Sequence, residues 1–337
     1  MVTNKRGHIL VMVLSLLTLW GTLANPAGQG RSKQANAADS HAAILQRVHT
    51  NPVDGAEMVF IPAGKFDMGT DINEIEAQLK RFGLWDLPGT DEVRHCLDEV
   101  PKHSVTLPGF WMYKYEVTCR QYQKFIAATG RPAPPNWPGG KLQPGMENYP
   151  VTCVTWVDAM AYARWGEVRL AAEQEWEKAA GGADGRLFVW GNDWDPARCN
   201  SVERNAGKPL RSFKDANAWA RKMFDEGIPA TRWLLPVGSI KQDVSPYGCY
   251  DMAGNVSEWT ASPYEAYPYP AGKAKLIICP EFFMGLRVVK GGCALSPVVA
   301  CRVTERDFPP TKPEEFMDEF VGFRCAAYET AMPKPGK

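Results

Sequence analysis

The cysteines are the residues of this chain best suited to redox or soft-metal chemistry. Thiolates bind Cu(I) and zinc, and pairs of thiols form disulfides. The sequence has no C-x-x-C spacing, which argues against zinc ribbons and thioredoxin-like redox motifs. An odd count leaves at least one thiol free or bonded to another chain. The nine cysteines are Cys96, Cys119, Cys153, Cys199, Cys249, Cys279, Cys293, Cys301 and Cys325.

The composition is that of a folded protein with a large share of loops. The chain has 337 residues, of which 45% are apolar and 23% charged, and its 38 basic and 38 acidic residues give zero net charge. These values exclude a wholly disordered chain and a polytopic membrane protein, and the lack of a basic excess argues against nucleic-acid binding. The 30 glycines, 27 prolines and 12 tryptophans favour a loop-rich fold with aromatic anchors.

The N-terminal segment has the pattern of an export signal. Lys5 and Arg6 precede an apolar run over 9–24, which is shorter than the roughly 20 residues of a spanning helix. We therefore expect 1–37 to be a signal peptide or an N-terminal anchor with a tether. The protein is then periplasmic or secreted, and it touches a membrane only through this segment if the segment stays uncleaved. Because an exported protein meets an oxidising compartment, disulfides are expected.

The helices and strands that position the candidate functional side chains are predicted to be short. Strand patterns occur at 58–64, 105–117, 288–290 and 321–326, and large side chains on both faces of 105–117 predict that both faces are buried. Helices are predicted at 71–82, after the capping residues Thr118 and Thr155, at 172–180 and near 214–226.

The sequence predicts a single domain between two flanking segments. Nothing resembles a linker between residues 55 and 327, so we expect one domain over 55–327. A linker at 38–54 precedes this domain, and a tail at 328–337 follows it.

Short motifs run through the whole of this domain in a fixed order. In that order they resemble the formylglycine-generating enzyme / sulfatase-modifying factor family. The resemblance implies a single α+β domain, related to C-type lectins, with little regular secondary structure. The motifs include Met58-Val59-Phe60-Ile61-Pro62-Ala63-Gly64, Tyr115-Glu116-Val117-Thr118, Trp190-Gly191-Asn192, Asp251-Met252-Ala253-Gly254-Asn255-Val256-Ser257-Glu258-Trp259, Lys290-Gly291-Gly292 and Gly322-Phe323-Arg324-Cys325.

The resemblance implies a copper site made of two cysteines after Gly291-Gly292. Family oxidases hold Cu(I) between two thiolates five residues apart, and the second of these positions is Cys301. The first falls on Ser296, while Cys293 occupies a position that is usually Ser. Three alternatives therefore stay open for Cys293 and Cys301: a structural disulfide, a displaced catalytic Cu(I) pair, or two unrelated thiols.

The resemblance also implies a Ca²⁺ site on the turn that precedes the strand at Trp259. The ligands would be the Asp251 side chain, the backbone carbonyls of Gly254 and Val256, and the Glu258 carboxylate. Ca²⁺ prefers such hard oxygen ligands. A second family Ca²⁺ site would begin at Asn200. The alternative is a plain turn with Glu258 as a surface acid.

Three functions are compatible with these patterns. The leading hypothesis is an exported maturation or accessory factor for another exported protein or peptide, because the fold resembles the family while the copper pair is incomplete. The second is a copper-dependent oxidase that converts a protein Cys to formylglycine or carries out a related oxidation. The third is a non-catalytic, lectin-like binding module. Partner specificity is expected in the insertion at 203–235 and the loop at 261–285, since loops carry binding on such scaffolds.

Overall fold

The computed structural model describes residues 47–85, 92–267, 285–309 and 315–331. The predicted signal segment, Cys279 and residues 332–337 of the predicted tail lie outside these ranges. Within them, no helix has both the length and the apolar character needed to cross a membrane.

The strands are β1 (Val48–Thr50), β2 (Glu57–Ile61), β3 (Gly64–Met68), β4 (His103–Leu107), β5 (Phe110–Tyr113), β6 (Arg169–Leu170), β7 (Ser257–Pro263), β8 (Arg287–Lys290), β9 (Val321–Phe323) and β10 (Cys325–Tyr328). The helices are α1 (Ile72–Phe82), α2 (Glu92–Cys96), α3 (Cys119–Thr129), α4 (Trp156–Trp165), α5 (Glu173–Gly181), α6 (Val202–Ala206) and α7 (Phe213–Asp225).

In the part of the chain that the structure describes, the strands form three sheets, and the predicted α+β class is confirmed. The main sheet has the order β1-β2-β5-β10-β6, and all its neighbouring strands are antiparallel. β3 and β4 form a separate antiparallel pair. In the third sheet β7 lies between β8 and β9, antiparallel to the first and parallel to the second.

Both faces of the main sheet are buried, as the pattern over 105–117 predicts. On β5, Trp111 and Tyr113 join the core cluster that contains α3 and α4 side chains. Phe110 and Met112 join the cluster on the other face, which contains Trp176 of α5. Successive side chains of a strand point to opposite faces, so this one strand supplies both cores.

The structure corrects three details of the predicted elements. The predicted strand at 105–117 is two strands, β4 and β5, interrupted at Pro108-Gly109, because proline cannot continue a central strand. The stretch predicted as a linker includes β1, which pairs with β2 in the main sheet. The predicted final strand is divided into β9 and β10, which belong to different sheets on either side of Arg324.

Two of the helices begin directly after the capping residues that the sequence predicts. Thr118 Oγ1 accepts a bond from the Gln121 N–H, and the Gln121 side chain accepts one from the Thr118 N–H. Thr155 and Asp158 repeat this arrangement at α4. At the start of α5, Ala172 offers no side-chain acceptor, and only Glu175 reaches back to its N–H, at 2.9 Å.

We expect Ala172→Thr to raise the free energy of unfolding by about 1 kcal/mol, because it supplies the missing cap oxygen. Thr155→Ala, which removes a cap that is present, should lower it by a similar amount. Urea unfolding of both variants measures the two changes. An unchanged midpoint for Ala172→Thr would show that the α5 terminus is already satisfied.

Candidate functional site

A buried ion pair between Glu258 and Arg324 lies at the centre of the candidate site. Nε and Nη2 of Arg324 donate to Oε2 and Oε1 of Glu258, each at 2.6 Å, and both side chains are at most 1% exposed. The indole N–H of Trp176 on α5 donates to the same carboxylate at 2.8 Å. One carboxylate on β7 therefore joins the third sheet to α5 and to the junction between β9 and β10.

The turn before β7 is tight, because three of its residues have a left-handed backbone conformation. The φ angle is 55° at Asp251, 82° at Gly254 and 61° at Asn255. A side chain has no room at Gly254, because a Cβ there would lie 2.2 Å from the carbonyl oxygen of Asn200. That same oxygen accepts a 2.9 Å bond from the Asn255 N–H. The structure therefore brings Asn200 and Gly254 together.

Asp251 belongs to a group of buried carboxyls with Glu116 and Asp243. Its Oδ2 accepts a bond from the Gly238 N–H at 2.5 Å. Burial raises the pKa of Asp251 to about 6, against the opposing effects of that bond and of the Arg324 charge. Burial, followed by the charge of Asp251, also raises the pKa of Glu116 and of Asp243 well above the usual range.

Two oxygens of this carboxyl group are buried without a hydrogen-bond partner, Oε2 of Glu116 and Oδ1 of Asp243. Sequence reasoning missed both residues. Glu116 lies within a recognised motif, but Asp243 lies in an irregular stretch that offers no pattern. Burial without a hydrogen-bond partner disfavours the ionised form of a carboxyl, which is the physical reason that the pKa values of Glu116 and Asp243 are raised.

Two of the predicted calcium residues already have other partners. The Asn200 amide donates to the Trp233 carbonyl at 2.7 Å and to Asn255 Oδ1 at 2.9 Å, and Glu258 is bound by Arg324. Across the described ranges, no three His, Cys, Asp or Glu side chains are placed to share one metal ion. The predicted Ca²⁺ site also uses the backbone carbonyls of Gly254 and Val256, which such a side-chain group does not include, and calcium binding stays a prediction.

The residues 293–301, which follow β8 and are called the cysteine turn below, are preceded by the two glycines Gly291 and Gly292. A Cβ at Gly292, whose φ is 68°, would lie 2.5 Å from the carbonyl oxygen of Ala300. Ser296 Oγ accepts a 2.9 Å bond from the Cys293 N–H and lies 3.5 Å from the Cys293 sulfur. The residue at the first copper position therefore stabilises the turn through its hydroxyl group.

The two predicted catalytic cysteines are free thiols with different partners. Cys301 ends the short helical turn Val298–Cys301 and is 1% exposed. The neighbouring Cys199 thiol is the largest cause of the raised pKa of Cys301, and burial is the second. Burial raises the pKa of Cys293 to about 11. Both side chains are therefore thiols at neutral pH, and the role of Cys293 and Cys301 as a copper pair stays a prediction.

The structure contains a polar cleft of about 320 Å³, and two of its lining residues follow Cys301 closely in the sequence. Val303 and Thr304 line one wall, and Glu74 of α1 lines another, paired with Lys102 at 2.6 Å. No sequence pattern predicts this cleft, because its walls come from segments far apart in the chain.

The chain belongs to the family described as the sulfatase-modifying factor enzyme 1-like domain, whose model matches residues 45–328. It is 30% identical to the mouse "Inactive C-alpha-formylglycine-generating enzyme 2", with 80% of this chain and 85% of that protein covered. It is 29% identical to the mouse formylglycine-generating enzyme, covering 71% and 70%.

Two further comparisons complete these findings. The chain is 31% identical to the uncharacterized protein YfmG of Bacillus subtilis over 65% of this chain, but it covers only 44% of that protein. The solved structure of PvdO from Pseudomonas aeruginosa shares the fold with a TM-score of 0.52 and 22% identity, covering 84% of this chain and 98% of that one.

We expect Glu258→Gln to lower the free energy of unfolding by about 3–5 kcal/mol, because it leaves the Arg324 charge buried and uncompensated. Glu57→Gln is the matched control, since Glu57 pairs with Lys114 at the surface and such pairs contribute about 0–1 kcal/mol. Denaturant unfolding measures both, in chelator and in Ca²⁺. The ion pair alone predicts an equal loss in the two buffers. A loss seen only in Ca²⁺ would give Glu258 its predicted role as a ligand.

The buried carboxyls make stability depend on pH. Their pKa values are higher in the folded chain than the usual value of about 4 in the unfolded chain. The folded chain therefore binds more protons, and its stability, complete below pH 4, falls as pH rises through about 6. We expect Asp243→Asn to flatten this fall, while Asp225→Asn at the exposed end of α7 leaves it unchanged. Urea midpoints between pH 4.5 and 8 test the slope, and parallel curves for all three proteins would contradict the assignment.

Proposed function

We propose that this protein is an exported maturation or accessory factor, which binds another exported protein or peptide without oxidising it through copper. The observation that carries the proposal is Ser296, a hydroxyl residue at the first copper position of the family pattern, bonded into the turn by the Cys293 N–H at 2.9 Å. A serine hydroxyl is a poor ligand for soft Cu(I), which prefers sulfur.

The state of Cys301 supports the same proposal. A thiol that must meet a cysteine of another protein needs access, and reactive cysteines have lowered pKa values. Cys301 is 1% exposed and its pKa is raised. The similarity to a mouse relative named inactive is consistent with a family fold that is kept without oxidation.

The insertion at 203–235 offers a surface for the partner. Helix α7 buries Ala216 and Ala220 on its inner side. The exposed side of the helix presents Lys214, Arg221 and Lys222 together with Asp225, and Lys222 pairs with Glu226 at 3.8 Å. Lys214 and Arg221 can pair with acidic groups of the partner, because opposite charges speed and orient association.

Peptide oxidation tests the absence of oxidase activity. The full chain, reduced and given Cu(I) and O₂, is incubated with a cysteine peptide, with the mouse formylglycine-generating enzyme as the positive control. We expect no aldehyde in the peptide by mass spectrometry. Conversion that is lost in Cys301→Ser would overturn the proposal in favour of the copper-dependent oxidase.

Affinity capture with cross-linking tests the accessory role. We expect the chain to capture a defined exported protein from periplasmic or secreted extract, and the combined Lys214→Glu, Arg221→Glu and Lys222→Glu changes to weaken capture at least tenfold. Lys65→Glu with Lys141→Glu is the control, since both are exposed lysines outside the segment 203–235. Retention of the chain on glycan resins, with no captured protein, would instead support the lectin-like module.

A further inference from the structure

Cys199 and Cys301 are brought together by two segments that are distant in sequence. The Val202 N–H donates to the Ser296 carbonyl at 3.1 Å. The Asn205 amide donates to the Ala294 carbonyl at 2.9 Å. These bonds lay the segment 199–205 along the turn 293–301, so the contact between the two cysteines is fixed by the backbone on each side.

The two thiols share one buried environment. Cys199 is 0% and Cys301 1% exposed, and both belong to the core cluster that contains Met252 and Ala253. The Cys199 side chain adjoins Cys301 and is the largest cause of its raised pKa. Sulfur elsewhere has other partners: Cys119 donates to the Pro150 carbonyl, and Cys96 accepts from Arg302.

We propose that Cys199 and Cys301 form a disulfide when the chain folds in an oxidising compartment. Each thiol gives up its proton, and the pair gives two electrons to an external disulfide, either a protein oxidant or oxidised glutathione. One S–S bond forms in the chain, and the S–S bond of the oxidant is broken to give two thiols. Because the folded pair is buried, oxidation takes place during folding.

The disulfide deepens the proposed function, and it rests on the predicted export. Cys301 is the one thiol that remains at a copper position of the family pattern, and a disulfide removes it from Cu(I) coordination, which requires thiolate. The bond also closes a loop of roughly 100 residues, a length for which the gain in stability is large.

Refolding in defined redox buffers tests the proposal. The full chain is unfolded and reduced, refolded with oxidised or with reduced glutathione, and then alkylated and digested. In the oxidised sample we expect a peptide that links Cys199 to Cys301 and a melting temperature higher by on the order of 10 °C. The reduced sample should give alkylated Cys199 and Cys301 only.

Matched variants separate the disulfide from general effects of cysteine removal. Cys199→Ala and Cys301→Ala should lose the redox-dependent shift in melting temperature, while Cys249→Ala, another fully buried thiol, keeps it. Peptide mapping of the unmutated chain decides the matter even if a variant fails to fold. Free thiols at both positions, or Cys301 linked to Cys279 or Cys293, would overturn the proposal. Copper-dependent peptide oxidation by the reduced chain would overturn the proposed function and leave the disulfide standing.

Discussion

The Glu258–Arg324 ion pair is the interaction on which the rest of the structure depends. Arg324 donates to the carboxylate of β7 at 2.6 Å and also to the carbonyl of Tyr250 at 2.9 Å, on the segment that leads into the Asp251 turn. Two buried charges are tolerated only when each satisfies the other's hydrogen-bonding capacity, and here every added bond reaches a different element. The pair therefore fixes the positions of sheets that share few backbone bonds.

Buried ion pairs of the same kind occur elsewhere in the domain, where regular secondary structure is sparse. Arg302 binds Glu99 next to the cysteine turn, Arg306 binds Glu173 at the start of α5, and Lys290 binds Glu177 at the end of β8, all with side chains at most 6% exposed. These ion pairs run from strand ends to helices and loops. Long loops can be ordered by a few such pairs, because each satisfies several buried polar atoms at once.

The regular elements could be predicted because their causes are local. The capping boxes at Thr118 and Thr155 lie within a few residues of the helices they begin, and the alternation over Phe110–Tyr113 lies within one strand. The partners of the buried charges could not be predicted, since Glu258 and Arg324, or Cys199 and Cys301, meet only through the tertiary fold. The family motifs identified the Asp251 turn, but the carboxyl of Asp243 that faces it comes from a stretch without periodicity.

The position of β5 has a further consequence for the motions of the domain. Its peptide groups are hydrogen-bonded to β2 on one side and β10 on the other, and both of its faces are covered by core side chains. Its amide hydrogens can therefore exchange with solvent deuterium only when the whole domain opens, whereas the edge strands β1 and β6 can fray alone. The exchange rate of this one central strand reports the global opening equilibrium of the protein.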